Sequence, residues 1–402
     1  MKLSIMVALF LFIKCEKDFA PIKTLTTNKG EGVKKLNYYD DVKFRIKNFQ
    51  IQIDSSGALH DGIIYQPIGI SDNYITIFYL AGLWVGAYIS NEAYANLIWT
   101  GSYRFGNYIA QCDSERTGVF YIDPGILEKE DFSALIPYGF PFDQRNKPRL
   151  FGEAMCWSAL ETDTSAKIEV YQNPIPNLHL TQSLYGYEDD NLNQVFFLRY
   201  EIENRGSYGY DEVYAGFFSD TDLIDIFNST GYDSSRSLSY TYMPNDNIFA
   251  PEYYPYVTGF TFLETPMENG TPVGVGSHRI MRKNNYLNPE FGERDFDTPE
   301  QVLYALKGLS NFGDPMINPV TGNITKFAFT GDPIKQTGWL DSIPIDVRSL
   351  LSTAPFTLAA GEEKIVSIVW VVESGQSLAA AIFNLKSKVD DIRSKDYLWK
   401  FD

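Results

Sequence analysis

Asp220, Asp222 and Asp225 follow an apolar segment within one short stretch, with Asn228 and Asp233 beyond them. Calcium takes about six to eight oxygen ligands, and a loop offering alternating carboxylates and carbonyls can wrap one. The spacing lacks the glycine and distal glutamate of an EF-hand, so the expectation divides between a Ca2+ that holds the loop and a solvated acidic loop. Five tyrosines, Tyr240, Tyr242, Tyr253, Tyr254 and Tyr256, lie around Pro251 and Pro255. Flat rings on stiff loops can stack on a sugar face or anchor a protein partner, and equally can pack a core. Glu153, between Gly152 and the apolar run Ala154-Met155-Cys156-Trp157, is the acid expected to feel desolvation, which makes it the one candidate for acid catalysis. Nucleophile signatures are missing: Gly274-Val275-Gly276-Ser277-His278 sets its serine one place off the GxSxG elbow. His60, His179 and His278 are far apart in sequence, and no HExxH or CxxC spacing suggests zinc.

The segments that must position these side chains read as strands. Ile75–Leu80, Leu83–Ile89, Val195–Ile202, Val213–Phe218 and Ile365–Val372 are rich in β-branched and aromatic residues. In Val195–Glu203, Phe196, Leu198, Tyr200 and Ile202 share one face while Arg199, Glu201 and Glu203 share the other, which predicts a half-buried strand. Ile365–Val372 is apolar on both faces and predicts a central strand. Thr298-Pro299-Glu300 opens a helix with a cap and a first-turn proline. Ser377 to Ser394 carries Leu378, Ile382, Leu385, Val389 and Ile392 three or four apart, an amphipathic helix that should dock on a sheet. Strands far outnumber helices, so the predicted fold is all-β: a large β-sandwich, one extended or two packed units, with a C-terminal amphipathic helix. Asn173-Pro174-Ile175-Pro176 marks either a subdivision near 173–180 or a loop within one sandwich. Pro355–Leu358 reads as a short strand, and Gly361 as a turn residue able to take positive φ.

The chain has 402 residues and a formal net charge of −17, with 44% hydrophobic and 21% charged residues. That is globular material, and its sign opposes binding to a phosphate backbone; no basic stripe offsets it, so nucleic acid is not an expected partner. Lys2 and the apolar run Leu3–Ile13 suit an export signal, being too short for a spanning helix. Cys15 follows at once, and this ending resembles a bacterial lipoprotein signal, in which the cysteine becomes the lipid-modified first residue. Lys14 departs from that pattern by standing where a small residue is usual. Residues 1–15 are thus read as a lipoprotein-like signal, 16–40 as a tether and 41–402 as the β-module. Cys112 and Cys156 either pair in an oxidising compartment or stay as buried thiols.

Phe327–Trp339, Asp346-Val347-Arg348 and Leu351–Glu362 together resemble a recurrent module of uncharacterised secreted proteins of Bacteroidetes, Ignavibacteria and related bacteria. Gly82–Ile89, Phe196–Gly206 and Val213–Asp225 are similar to segments of the same module, in the same order. The resemblance implies an exported β-rich module, often joined to a type IX secretion sorting domain, and supplies no catalytic residues. With Asp402 close behind the last helix, delivery is expected to use the lipid anchor. The resulting expectation is a cell-envelope protein at the outer membrane or surface, doing binding or structural work on a glycan or envelope protein. The alternatives are a carbohydrate-active enzyme on the same fold and a subunit of a secretion or surface-assembly machinery.

Overall fold

In the computed structural model, residues 41–65, 74–98, 106–110, 118–162, 173–244, 255–282, 296 and 298–395 are described, and they fall in one compact unit. It begins with β1 (Asp41–Ile46), β2 (Phe49–Asp54), β3 (Leu59–Tyr65), β4 (Tyr74–Ile89) and β5 (Glu92–Leu97), which are successive antiparallel neighbours. Next come β6 (Gly106–Ala110), β7 (Phe120–Ile122), the one-turn helix α1 (Pro124–Leu127), β8 (Ala154–Thr162), β9 (Leu178–Gly186), β10 (Val195–Asn204) and β11 (Tyr210–Asp220). β12 (Ser229–Asp233), β13 (Leu238–Tyr242) and β14 (Tyr256–Glu264) follow, then the small hairpin β15 (Met267–Glu268) and β16 (Thr271–Pro272). The chain continues through β17 (Val275–Arg282), α2 (Pro299–Leu306), the hairpin β18 (Met316–Ile317) and β19 (Ile324–Thr325), β20 (Val347–Thr353), β21 (Phe356–Leu358), β22 (Glu363–Ser374) and α3 (Leu378–Ser394).

Pairing sorts the long strands into two antiparallel sheets. The first runs β1-β2-β3-β4-β11-β20-β17, with β5 on the far half of β4 and β21 beside β11. The second runs β12-β13-β14-β22-β10-β9-β8, with β6 and β7 on the outer edge of β8. β6 also pairs in parallel with β5, and so joins the sheets at one edge. This is the β-sandwich with a C-terminal helix that the sequence predicts. The predicted strands Ile75–Leu80 and Leu83–Ile89 are one continuous β4, because Ala81 and Gly82 stay paired and a Cβ on Gly82 would strike Ile98 at 2.7 Å. Near the Asn173-Pro174 segment the chain stays bound to its surroundings: Ala95 N–H donates to Asn173 O and Ile175 N–H to Asn96 Oδ1.

Most of the core lies between the sheets, and two smaller layers cover the outer faces. Trp370 of β22 sits at the centre of the inter-sheet layer, its ring 4.5 Å from Phe78, 5.4 Å from Phe196 and 5.2 Å from Phe260, and its Nε1–H donates to Thr258 Oγ1. Such aromatic clusters bury large area and add about 0.5–1.5 kcal/mol per well-placed pair. β22 is central, flanked by β10 and β14, so its even residues face this layer while Val369 and Val371 face the other side. α3 closes that second face: its Leu378, Ile382, Leu385, Val389 and Ile392 are buried, and Ser377 caps its first turn by accepting from Ala380 N–H. α2, capped by Thr298, covers the outer face of the first sheet. There Gly86 and Gly216 leave the space that Leu303 and Leu306 fill, a Cβ at Gly216 falling 2.5 Å from Leu306 Cδ2.

Candidate functional site

The tyrosines of the sequence reading are core residues. Tyr240, Tyr242 and Tyr256 are at most 7% exposed, so they cannot present rings to a ligand. Tyr240 and Tyr242 stack at 5.9 Å in the layer beneath α3, with Lys386 Nζ 5.5 Å from the Tyr240 ring centroid, while Tyr256 packs between the sheets. Burial lifts the Tyr242 hydroxyl to about 12, with the Asp341 charge adding to it. Tyr253 and Tyr254 lie outside the described residues, as do Cys15 and Cys112. Cys156 is a free, fully buried thiol on β8 whose pKa burial pushes up.

The aspartate loop is closed by protein groups. Asp220, at the end of β11, faces Arg348 of β20, whose Nε lies 3.2 Å from its Oδ2 and whose Nη2 lies 3.4 Å from Asp346. Asp225 Oδ1 accepts from Phe227 N–H at 2.7 Å, and burial raises its pKa. Asn228 accepts from Leu223 N–H and donates to Leu223 O, which pins the turn without a cation. Asp222 is half-buried, and among the described residues no three acidic, His or Cys side chains gather in a way that could hold a metal. Glu153 is exposed just before β8, its N–H bound to Gly186 O at 3.0 Å, so it is not buried among its apolar neighbours. Those neighbours point into the sheet, whereas Glu153 precedes the strand. Ser277 is buried and donates to Leu306 O at 2.8 Å, a structural bond at the end of α2.

A concave site that none of these residues marks lies beside the end of β17. It is a cleft of ≈ 330 Å³. Pro319 and Val320 of the β18–β19 turn line it together with Phe329, Trp339, Leu340, Ser342 and Ile343. The β18–β19 turn is shaped by Asn318, whose Oδ1 accepts from Val320 N–H and Thr321 N–H. The Trp339 segment is held by Gly331 N–H donating to Trp339 O and by the Asp332–Thr337 backbone pair. Trp339 meets Phe329 edge-on at 5.3 Å, over a small core of Ile280, Ala328 and Val347. Phe329 has φ +55°, a left-handed conformation that costs a bulky residue about 1–3 kcal/mol and that clusters at functional positions. Its carbonyl accepts from Tyr232 N–H, which fixes it there.

Arg282 and Asp341 on the lining pair with each other and with the backbone. Arg282 Nη2 donates to Asp341 Oδ1 at 2.7 Å and Nη1 to Ile345 O at 3.1 Å. Asp341 also accepts from Thr230 N–H and Ile343 N–H, so its carboxylate is committed to three donors. Both side chains are buried, at 3% and 0% exposure. A carboxylate so engaged is a poor general base for the neighbouring Ser342 hydroxyl, which also lines the cleft. The arrangement offers apolar and aromatic contact to a ligand. Sequence reasoning missed it because Arg282 and Asp341 lie far apart in sequence; the available signal was Trp339 and Phe329 inside a Gly-, Pro- and Thr-rich stretch with no strand or helix period.

No protein-family model matches the chain, and no curated protein matches it. Among solved structures, the chain is similar to a provisionally assigned aldose 1-epimerase from Escherichia coli K12, at TM-score 0.33 and 8% identity, over 83% of this chain and 99% of that one. It is also similar to a copper-containing benzylamine oxidase from Hansenula polymorpha, at TM-score 0.33 and 9% identity, over 89% of this chain and 63% of that one.

Proposed function

We propose that the protein is an exported cell-envelope protein, lipid-anchored through Cys15, whose sandwich does binding work through the cleft between the β18–β19 turn and Trp339. The observation that carries the binding role is the chemistry of the cleft: apolar walls around an ion pair whose polar atoms are already engaged. Sugars are held through many hydroxyl contacts, and a saturated pair has few donors or acceptors left to give them. An uncharged apolar segment of an envelope protein suits the walls better. The rim agrees, since Ile317, Val320 and Ile324 of the hairpin are 60%, 61% and 71% exposed, a grouping of apolar side chains that marks interaction surfaces. The export signal and Cys15 support placement at the membrane. The carbohydrate-active alternative finds little support at this cleft, where Asp341 is the one carboxylate on the lining.

The test is a binding survey with the folded protein against a library of apolar and charged peptides and against a glycan array. Apolar peptides should bind, and Trp339→Ala should weaken them about tenfold or more, a loss of about 1.4 kcal/mol. Glycan binding without peptide binding, or peptide binding indifferent to Trp339→Ala, would overturn the reading.

A further inference from the structure

β8, β9 and β10 place three polar side chains in one row on the inter-sheet face: Ser158 stands opposite Gln182, and Gln182 opposite Tyr200. The residues two places along these strands, Cys156, Leu160, Leu180, Leu184, Leu198 and Ile202, all belong to the inter-sheet core. Ser158 and Gln182 are both 0% exposed. Among the described residues, neither oxygen nor nitrogen of the Gln182 amide meets a hydrogen-bond partner, and neither does Ser158 Oγ. Directly opposed side chains on paired strands have Cβ atoms about 4.5–5.5 Å apart, so these polar groups address one shared space.

We infer that the Ser158–Gln182 pair is an internal water-binding site, in which one or more water molecules bridge the glutamine amide and the serine hydroxyl within the sandwich. A stranded buried donor or acceptor costs about 1–3 kcal/mol, and three such atoms side by side would use up much of a domain's net stability. Water relieves this cost because each buried molecule makes about three hydrogen bonds, donating to Gln182 Oε1 and accepting from its Nε2–H or from the Ser158 hydroxyl. A charged ligand is excluded by the desolvation penalty of the apolar surroundings. A larger neutral one is excluded by the β2–β3 turn, which lies over the amide. At Gly57, which has φ +79°, a Cβ would come within 2.8 Å of both Gln182 Oε1 and Leu160 Cδ1. The site therefore selects for the smallest ligand with both donor and acceptor capacity.

Two measurements on the full chain test this. A high-resolution crystal structure should show ordered water about 2.7–3.2 Å from the Gln182 amide and Ser158 Oγ. Carbon contacts alone around both groups would overturn the site. In solution, deuteron magnetic relaxation dispersion counts long-lived internal water. The count should fall in the paired variant Ser158→Ala, Gln182→Leu, and an unchanged count in that folded variant would overturn the inference. Should the variant fail to fold, the crystal structure of the unaltered protein decides.

Discussion

His278 shows how a single side chain can tie the fold to pH. Its Nδ1 lies 3.1 Å from Ala328 O and its Nε2 2.9 Å from Ser239 Oγ, so the neutral ring donates from Nδ1–H and accepts the serine hydroxyl. Tyr232 stacks on it at 5.0 Å. Ser239 is on β13 and His278 on β17, so this hydrogen bond links the two sheets. Complete burial lowers the imidazole pKa from 6.5 to about 4. The unfolded chain takes up this proton at a higher pH than the folded one, so acid favours unfolding. Stability should fall between about pH 6.5 and pH 4, by about 3 kcal/mol from this group. His60 acts in the opposite sense: burial pulls its pKa down, but the hydrogen bond and charge of Asp54 outweigh this and raise it, so its contribution is lost as pH rises. Urea unfolding at pH 7, 5.5 and 4.5 should show the decline in the unaltered protein and a flatter profile in His278→Leu. Equal slopes in the two proteins would refute the assignment.

At the scale of elements, the seat of α2 depends on glycines that a sequence pattern does not explain. Gly86 on β4 and Gly216 on β11 lie on neighbouring strands, and Leu303 and Leu306 occupy the space above them. Gly216→Ala should destabilise by about 1–3 kcal/mol through overpacking. Leu306→Ala alone should cost about 2–5 kcal/mol through the cavity it leaves. Because the added methyl enters the volume that the leucine vacates, the double variant should lose less than the sum, and a double-mutant cycle measures this coupling. Strict additivity would mean that α2 does not rest on Gly216. Elements with a clean period were readable beforehand: β10 alternates as expected, β22 is central, and α3 buries the predicted stripe. Tyr240, Tyr242 and Tyr256 could not be assigned to core or ligand surface beforehand because a sheet covered on both faces buries both strand parities, leaving no alternation to separate core rings from exposed ones.

For the whole molecule, the second sheet is the shared support. β22 contributes to the inter-sheet core on one face and to the α3 layer on the other, and the cleft lies by β17 at the edge of the first sheet. Mass spectrometry of the mature chain from membranes should find an acylated N-terminal Cys15, and Cys15→Ser should shift the protein to the soluble fraction. An intact Lys14–Cys15 bond in membrane-extracted protein would refute the anchor.

By itself, the sequence determined the class of fold, the central strand, the two longer helices and the turn at Gly361, which has φ +73°. Each is set by local propensity or by a period of two or 3.6 residues, and such information survives in a linear string. Only the tertiary structure decided that Arg282 meets Asp341, that Asp220 is taken by Arg348, and that Phe329 and Trp339 wall a cleft. Those outcomes depend on which strands become neighbours, and long-range pairing brings together residues whose spacing in the chain carries no trace of their contact.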